Sequence, residues 1–256
     1  MRSALAAFAA AIVTACAGGA VPGIMMAAPA PVTATSPNIL AAVADPRRPD
    51  ADRERDALRH PAEILAFAQI QPGQRVADVG PGGGYYTRLL SVAVGEEGRV
   101  YAIDRPNTPE RRRAILDVAP AYPNVAVVQQ GYQGWSAGEP LDAILISQIY
   151  HDFHLPALNL NVPTVNRDLL AALKPGGVLL IIDHSAVAGS DLSVADTLHR
   201  IDAARVRSEL EAAGFVFDGE SEVLRNPADD RSIRVFEGDI RGRTDQFVMR
   251  FRRPAA

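Results

Sequence analysis

Two groups of residues in this sequence could do chemistry. The first is Asp78-Val79-Gly80-Pro81-Gly82-Gly83-Gly84, an acid followed by four glycines in five positions. It lies between an apolar run and a segment able to wind into a helix. Glycine permits unusual backbone angles and lets a ligand approach the chain closely. A helix N-terminus behind it offers free N–H donors. The second group is histidine. Of five in the chain, His151, His154, His184 and His199 fall in two short regions, accompanied by Asp152, Asp183 and Arg200. Imidazole titrates near neutrality and suits proton transfer or the orientation of a polar substrate.

The spacing of the glycines narrows what the turn can hold. A dinucleotide fingerprint counted from Gly80 needs glycine at position 85, where this chain has Tyr85. A phosphate-binding P-loop needs Gly-Lys-Ser/Thr, and the single lysine is Lys174. What stands here is D-x-G-x-G-x-G. Asp104 follows twenty residues after Gly84, at the end of the next apolar run, where an acid can accept hydrogen bonds from both hydroxyls of a ribose.

These residues need a scaffold, and the pattern supplies one. After a helical stretch over 52–70, strands and helices alternate: GQRVADVG, YYTRLLSVAVG, GRVYAIDR, TPERRRAILDVA, NVAVVQQG, LDAILISQIY, VNRDLLAAL, VLLIIDHS and VADTLHRIDAARVRSELEAAG. FVFDGESEVL and DQFVMRFRR complete seven strands. Continuous apolar runs such as VLLII mark strands buried on both faces. Strand–helix alternation with short turns builds right-handed crossovers in one sheet. The last two strands have no helix between them and can pair only antiparallel. The expectation is a doubly wound α/β domain over 52–256, mostly parallel, with an antiparallel last strand. The glycine turn and both histidine regions then share the carboxyl edge of the sheet.

The N-terminus reads as targeting. Arg2 precedes an uncharged, Ala-rich stretch from Ser3 to Ala15. That is shorter than the ~20 apolar residues a bilayer span needs and fits a secretory signal of residues 1–17. Val13-Thr14-Ala15-Cys16 resembles the lipobox of bacterial lipoproteins, so membrane attachment through Cys16 is one expectation and plain export to the periplasm the other. With one cysteine there is no internal disulfide. Residues 18–51, rich in Ala and Pro, read as a tether. The formal net charge of -4 argues against nucleic acid as a partner, because phosphate neutralisation requires basic surface.

Asp78 to Gly84, Asp104 and the turn Leu173-Lys-Pro-Gly-Gly177 together resemble class I S-adenosylmethionine-dependent methyltransferases. RDALRHPAEILAF, IYHDFH, IIDHSA, TLHRIDAARV and LRNPADD are similar to a group of exported bacterial predicted methyltransferases. The resemblance implies a Rossmann-like fold and S-adenosylmethionine as cofactor, held by Asp78, Gly80, Gly82, Gly84, Tyr85, Asp104, Gln130 and Tyr132. Many class I members carry an acid for adenine after the third strand; Gln129, Gln130, Gly131 and Tyr132 stand there instead, with Trp135 available for stacking.

The acceptor side is expected at the loops after the fourth and fifth strands. Methyl transfer requires an aligned nucleophile and, for some acceptors, a base. His151 or His184 is the candidate base or substrate orienter, with Asp152 supporting; His154, His199 and Arg200 are candidates for binding a small-molecule acceptor. A metal reading through His151, His154, His184 and a nearby Asp exists, but His-x-x-His is unspecific outside a helix, and no metal is assigned. The alternatives to a methyltransferase are an exported binding or sensing protein on the same scaffold and a metal-assisted hydrolase using the His/Asp cluster.

Overall fold

A computed structural model describes Met1, residues 35–108 and residues 113–255. The expected signal segment and Cys16 lie outside the described residues. Order begins earlier than the sequence suggests. Helix α1 (Pro37–Val43) starts with proline in its first turn, where the missing N–H does no harm. It buries Ile39 and Ala42 against the helix that follows the glycine turn. Residues 37–51 are therefore part of the fold and not a tether. Their Ala/Pro-rich composition hides a two-residue apolar contact. Helices α2 (Asp50–Arg59) and α3 (Pro61–Phe67) follow, hinged at His60, which is left-handed at φ 43°.

The sheet has seven strands: β1 (Arg75–Val79), β2 (Arg99–Ile103), β3 (Val125–Val128), β4 (Leu141–Ser147), β5 (Leu173–His184), β6 (Val216–Ser221) and β7 (Gln246–Arg252). Their order is β3-β2-β1-β4-β5-β7-β6. β1 pairs parallel with β2 and β4, and β4 with β5. β7 runs antiparallel between β5 and β6. This is the expected doubly wound, mostly parallel sheet with an antiparallel last strand. Side chains alternate between two cores. Val76, Ala102, Leu145, Leu180 and Val248 face α1, α3 and α4 (Tyr85–Val94). Ala77, Ile103, Ile144, Ile181 and Met249 face α5 (Val162–Ala172) and α7 (Ala203–Ala212). Burial of both faces is why these strands read as unbroken apolar runs.

Three local readings change. LKPGG is the start of β5 rather than a free turn, with a register shift against β4 between Leu141 and Ala143. The expected helix over TPERRRAILDVA is, in its described part, two 3-10 turns, Ala114–Asp117 and Ala119–Ala121. The long helix after β5 is split into α6 (Ser193–Thr197) and α7. Asp202 ends the break by accepting from the Ala204 N–H, an N-cap that starts α7 anew. Within the break His199 is left-handed at φ 54°, and Ile201 bridges to Ser185 beside β5.

Candidate functional site

The carboxyl ends of β1, β2, β4 and β5 lie along one edge, because Val79 pairs with Ile103 and Ile146 and Ser147 with Ile182. β7 adds its amino end there through the His184–Gln246 pair. The glycine turn, Asp104 and the loops that carry His151 and His184 converge on this edge, in two parts, whereas LKPGG begins β5 at the opposite end of that strand.

The first part is the glycine turn. Gly80 has φ 72°, and a Cβ there would lie 2.3 Å from Ile149 Cδ1. Only glycine lets the turn pack so tightly against the loop after β4. Gly82, at φ 56°, and Gly83 have nothing within 4 Å of a Cβ position, so the turn presents bare backbone to open space. Gly84 then starts α4 with no side-chain cap, leaving first-turn N–H groups for an anionic ligand. Asp78 is buried and accepts from the Thr87 hydroxyl at 2.6 Å. Burial pushes its carboxyl up to about 6, with the Thr87 bond opposing and the Asp104 charge adding. Asp78 therefore braces the turn from beneath.

Asp104 is buried at the end of β2. Both its oxygens are engaged by Arg113, whose Nε donates to Oδ2 at 2.8 Å while a terminal nitrogen donates to Oδ1. The Tyr132 hydroxyl adds a 3.4 Å contact to Oδ1. Beside this carboxylate a buried donor, Gln129 Nε2, has no hydrogen-bond partner among the described residues, whereas Trp135 lies by the 136–140 segment and Ala171–Ala172, away from it. Unpaired buried donors carry a desolvation penalty that a ligand can relieve. The neighbouring Gln130 is exposed and accepts from the Ser136 N–H at 3.0 Å, so Gln129 replaces Gln130 as the adenine candidate. Tyr85 points the other way. Its hydroxyl donates to Asp56 at 2.7 Å, and its ring packs under Arg55 and Arg59. It ties α4 to α2 and does not line the mouth of the turn.

This donor set fits S-adenosylmethionine. A ribose requires a doubly accepting carboxylate, which Asp104 supplies. The methionine carboxylate requires N–H donors, which the uncapped start of α4 supplies. Adenine requires polar edges and a flat neighbour, which Gln129 and Tyr132 supply.

The second part is the histidine cluster. His151 opens the 3-10 turn His151–His154 after β4. Its backbone N–H donates to Asp183 Oδ2 at 2.8 Å, and its Nδ1 lies 2.7 Å from Asp183 Oδ1. Asp183 is fully buried at the end of β5. Burial works against charge on His151, but the Asp183 and Asp152 carboxylates outweigh it and push the imidazole up to about 10. His151 is then a charged donor at neutral pH rather than a free base. Its Nε2 lies 3.3 Å from His199 Nδ1. His184 differs. Burial, opposed by Asp183 but aided by the nearby His151 and Arg200 charges, pushes it down to about 4. It stands neutral, with Nδ1 2.6 Å from the Thr244 hydroxyl.

Two candidates leave the cluster. His154 Nε2 pairs with Glu209 of α7 at 3.1 Å. Arg200 is fully buried in a bidentate pair with Asp229, at 2.8 and 3.1 Å, and also donates to the Ser185 and Ile233 carbonyls. It anchors the 229–233 segment from inside the fold, with no exposed surface for a substrate to reach. Sequence reasoning underweighted Asp183, although an acid closing an apolar strand is visible in IIDH. It also missed a polar relay, from Arg59 to Gln148 at 2.7 Å and from Gln148 to Gln246 at 2.9 Å, which links α2, β4 and β7 across the edge.

Comparison with known proteins agrees with this geometry. A Protein-L-isoaspartate O-methyltransferase of Ignicoccus hospitalis is 35% identical over 122 residues, covering 47% of this chain and 52% of that protein. Protein-L-isoaspartate O-methyltransferase 1 of Arabidopsis thaliana is 35% identical over 124 residues, covering 46% and 49%. The chain thus spans about half the length of the curated relatives it matches. A solved S-adenosylmethionine-dependent methyltransferase from Aquifex aeolicus superposes with a TM-score of 0.56 at 23% identity, over 80% of this chain and 98% of that one, which shows the fold. The profile of the Protein-L-isoaspartate(D-aspartate) O-methyltransferase (PCMT) family matches residues 52–188, more than half of the sequence. The chain therefore belongs to the PCMT family of methyltransferases, with S-adenosylmethionine as the cofactor.

Proposed function

We propose that this protein methylates a small, oxygen-bearing acceptor at the carboxyl edge of its sheet. The observation that carries the methyltransferase part is the pairing of an open glycine turn with the buried carboxylate of Asp104. S-adenosylmethionine supplies an electrophilic methyl group. The chain's own residues hold it, orient the acceptor and exclude water.

The small-acceptor part rests on a cleft of ≈ 610 Å³ lined by Leu58, His60, Arg225, Ile233, Thr244 and Gln246 among others. That volume lies in the range of small-ligand sites, ~300–1,000 Å³. Thr244 connects it to His184 and Gln246 to Gln148, so the cleft abuts the histidine cluster. Most of its lining lies beyond residue 188, where the family match ends. His151, held charged between Asp183 and Asp152, would orient a polar acceptor rather than draw an anion to the site. A second reading has the isoaspartyl carboxylate of a protein as acceptor; the names of the relatives favour it. Export, as a lipoprotein or to the periplasm, is proposed on the N-terminal residues alone. Fractionation of the expressing bacterium into cytosol, periplasm and membrane tests it.

Calorimetric titration of the full chain with S-adenosylhomocysteine tests the core of the reading. Measurable affinity is expected, with a loss of about tenfold or more in Asp104→Asn, since each good hydrogen bond to a charged group contributes ~1.5–3 kcal/mol. An untouched affinity in that variant, or none in the parent, would refute it. Transfer of labelled methyl groups to an isoaspartyl peptide separates the two acceptors. Efficient formation of a base-labile ester would favour the second.

A further inference from the structure

We infer that His151, Asp152 and His199 form a binding site for a divalent transition metal, zinc being the best match. The three side chains offer one ligand atom each, all mutually close. His151 Nε2 lies 3.3 Å from His199 Nδ1 and 3.2 Å from Asp152 Oδ1; His199 Nδ1 lies 3.6 Å from Asp152 Oδ1. Ligands bound tetrahedrally at ~2.0–2.2 Å from zinc are separated by about 3.3–3.6 Å. The triangle already has the edge lengths of one face of that tetrahedron. An octahedral magnesium site at ~2.0–2.1 Å would need edges of about 2.9 Å, and a pair of imidazoles is the wrong donor set for it.

Two independent observations point to a ligand. Asp152 Oδ1 is buried and, despite its closeness to both rings, makes no hydrogen bond of acceptable geometry. It faces both ring nitrogens, at 3.2 Å from His151 Nε2 and 3.6 Å from His199 Nδ1. In addition, His151 Nδ1 is fixed by the buried Asp183 carboxylate at 2.7 Å. A carboxylate behind a histidine is the arrangement that orients a metal-ligating imidazole and leaves Nε2 free to bind. His199 is brought to the site by its left-handed backbone in the break between α6 and α7, and its ring meets that of exposed Phe236 edge-on at 5.0 Å. Its Nε2 lies 2.9 Å from an Arg234 terminal nitrogen. With metal on Nδ1 the ring proton sits on Nε2, so the exposed Arg234 side chain turns away. Protons held between the ring nitrogens leave as the metal enters. Asp152 and His199 are partly exposed, which gives an ion a way in. Three protein ligands leave a coordination position open, as in catalytic rather than structural zinc sites.

Nothing in this inference requires methyl transfer, and the test uses no cofactor, so its failure is separable from failure of the proposed function. Chelator-stripped full chain would be titrated with Zn²⁺ against a competing chromophoric chelator. Co²⁺ would be used to read geometry from its visible absorption. One equivalent bound, with a tetrahedral Co²⁺ spectrum, is expected. His199→Asn, which tolerates the left-handed backbone, and Asp152→Ala should each weaken binding by about tenfold or more, within the range seen when metal-site groups are lost. His154→Gln, in the same 3-10 turn but paired with Glu209, should leave it unchanged. No stoichiometric binding, or binding that survives His199→Asn and Asp152→Ala while circular dichroism shows both variants folded, would overturn the site. So would dependence on His154.

Discussion

Asp78 is the residue whose contribution to stability and to function should conflict most clearly. It lies under the glycine turn, 2% exposed, with a single hydroxyl bond from Thr87. Burial raises its carboxyl from 3.8 to about 6. Each tenfold loss in the readiness of a group to ionise corresponds to ~1.4 kcal/mol, so the ionised form destabilises the fold by about 3 kcal/mol. A raised folded-state value means the group's stabilising contribution is complete below about pH 4 and lost as pH rises through about 6. Asp78→Asn keeps the shape and can still accept from Thr87, but cannot ionise. Its buried amide adds an offset of ~1–3 kcal/mol, independent of pH. The stability difference between variant and parent should therefore grow in the variant's favour by about 2 kcal/mol from pH 4.5 to 7.5, the first ~1 kcal/mol of the penalty having accrued below that range. All other titrating groups cancel in that comparison. Urea unfolding of both proteins at four pH values measures it. A difference flat within ~1 kcal/mol, or shrinking as pH rises, would show that Asp78 is not the strained acid the geometry makes it.

The other predictions concern charged pairs. Arg113→Ala should tighten S-adenosylhomocysteine binding several-fold by calorimetry, because Arg113 occupies both Asp104 oxygens that the ribose hydroxyls need. Weaker binding would mean Arg113 contacts the ligand itself. Arg200→Ala should lower stability by ~3–5 kcal/mol in chemical denaturation, the cost of leaving buried Asp229 unpaired. A loss below ~1 kcal/mol would remove Arg200 as the anchor of the 229–233 segment.

The sheet was legible because parallel strands buried on both faces leave unbroken apolar runs, and VLLII and AILI are such runs. The cofactor side was legible because its residues are local: Asp78 to Gly84 is one turn, and Asp104 ends the next strand. The histidine site was only half legible. His151 and His199 were singled out, but their positions depend on contacts far apart in sequence. Asp183 holds His151 from 32 residues away, and His199 meets His151 from 48. The break that presents His199 was missed because VADTLHRIDAARV keeps helical spacing through it. Asp202 before two alanines was the signal for a new helix start. Arg200 and His154 were misplaced for the complementary reason. A charged residue near a site in sequence says nothing of which way it points, and Asp229 and Glu209 had claimed them.

The two parts of the site are built differently, and the family match covers only one of them in full. Residues 52–188 contain β1 to β5, the glycine turn, Asp104 and the His151–Asp183 pair. A fixed cofactor demands that these keep their spacing. The walls of the 610 Å³ cleft come largely from residues 223–246, a segment mostly without regular structure. Such a segment would ordinarily be mobile. Here it is pinned from inside: Arg200 holds Asp229, and Asp229 accepts from the Asp245 and Arg231 N–H groups at 2.7 and 2.9 Å. Asp245 in turn accepts from the Asn226 N–H at 2.9 Å. One buried guanidinium thus fixes an irregular wall without a helix or strand to support it. The wall of the cleft is held by contacts separate from those that hold the glycine turn and Asp104.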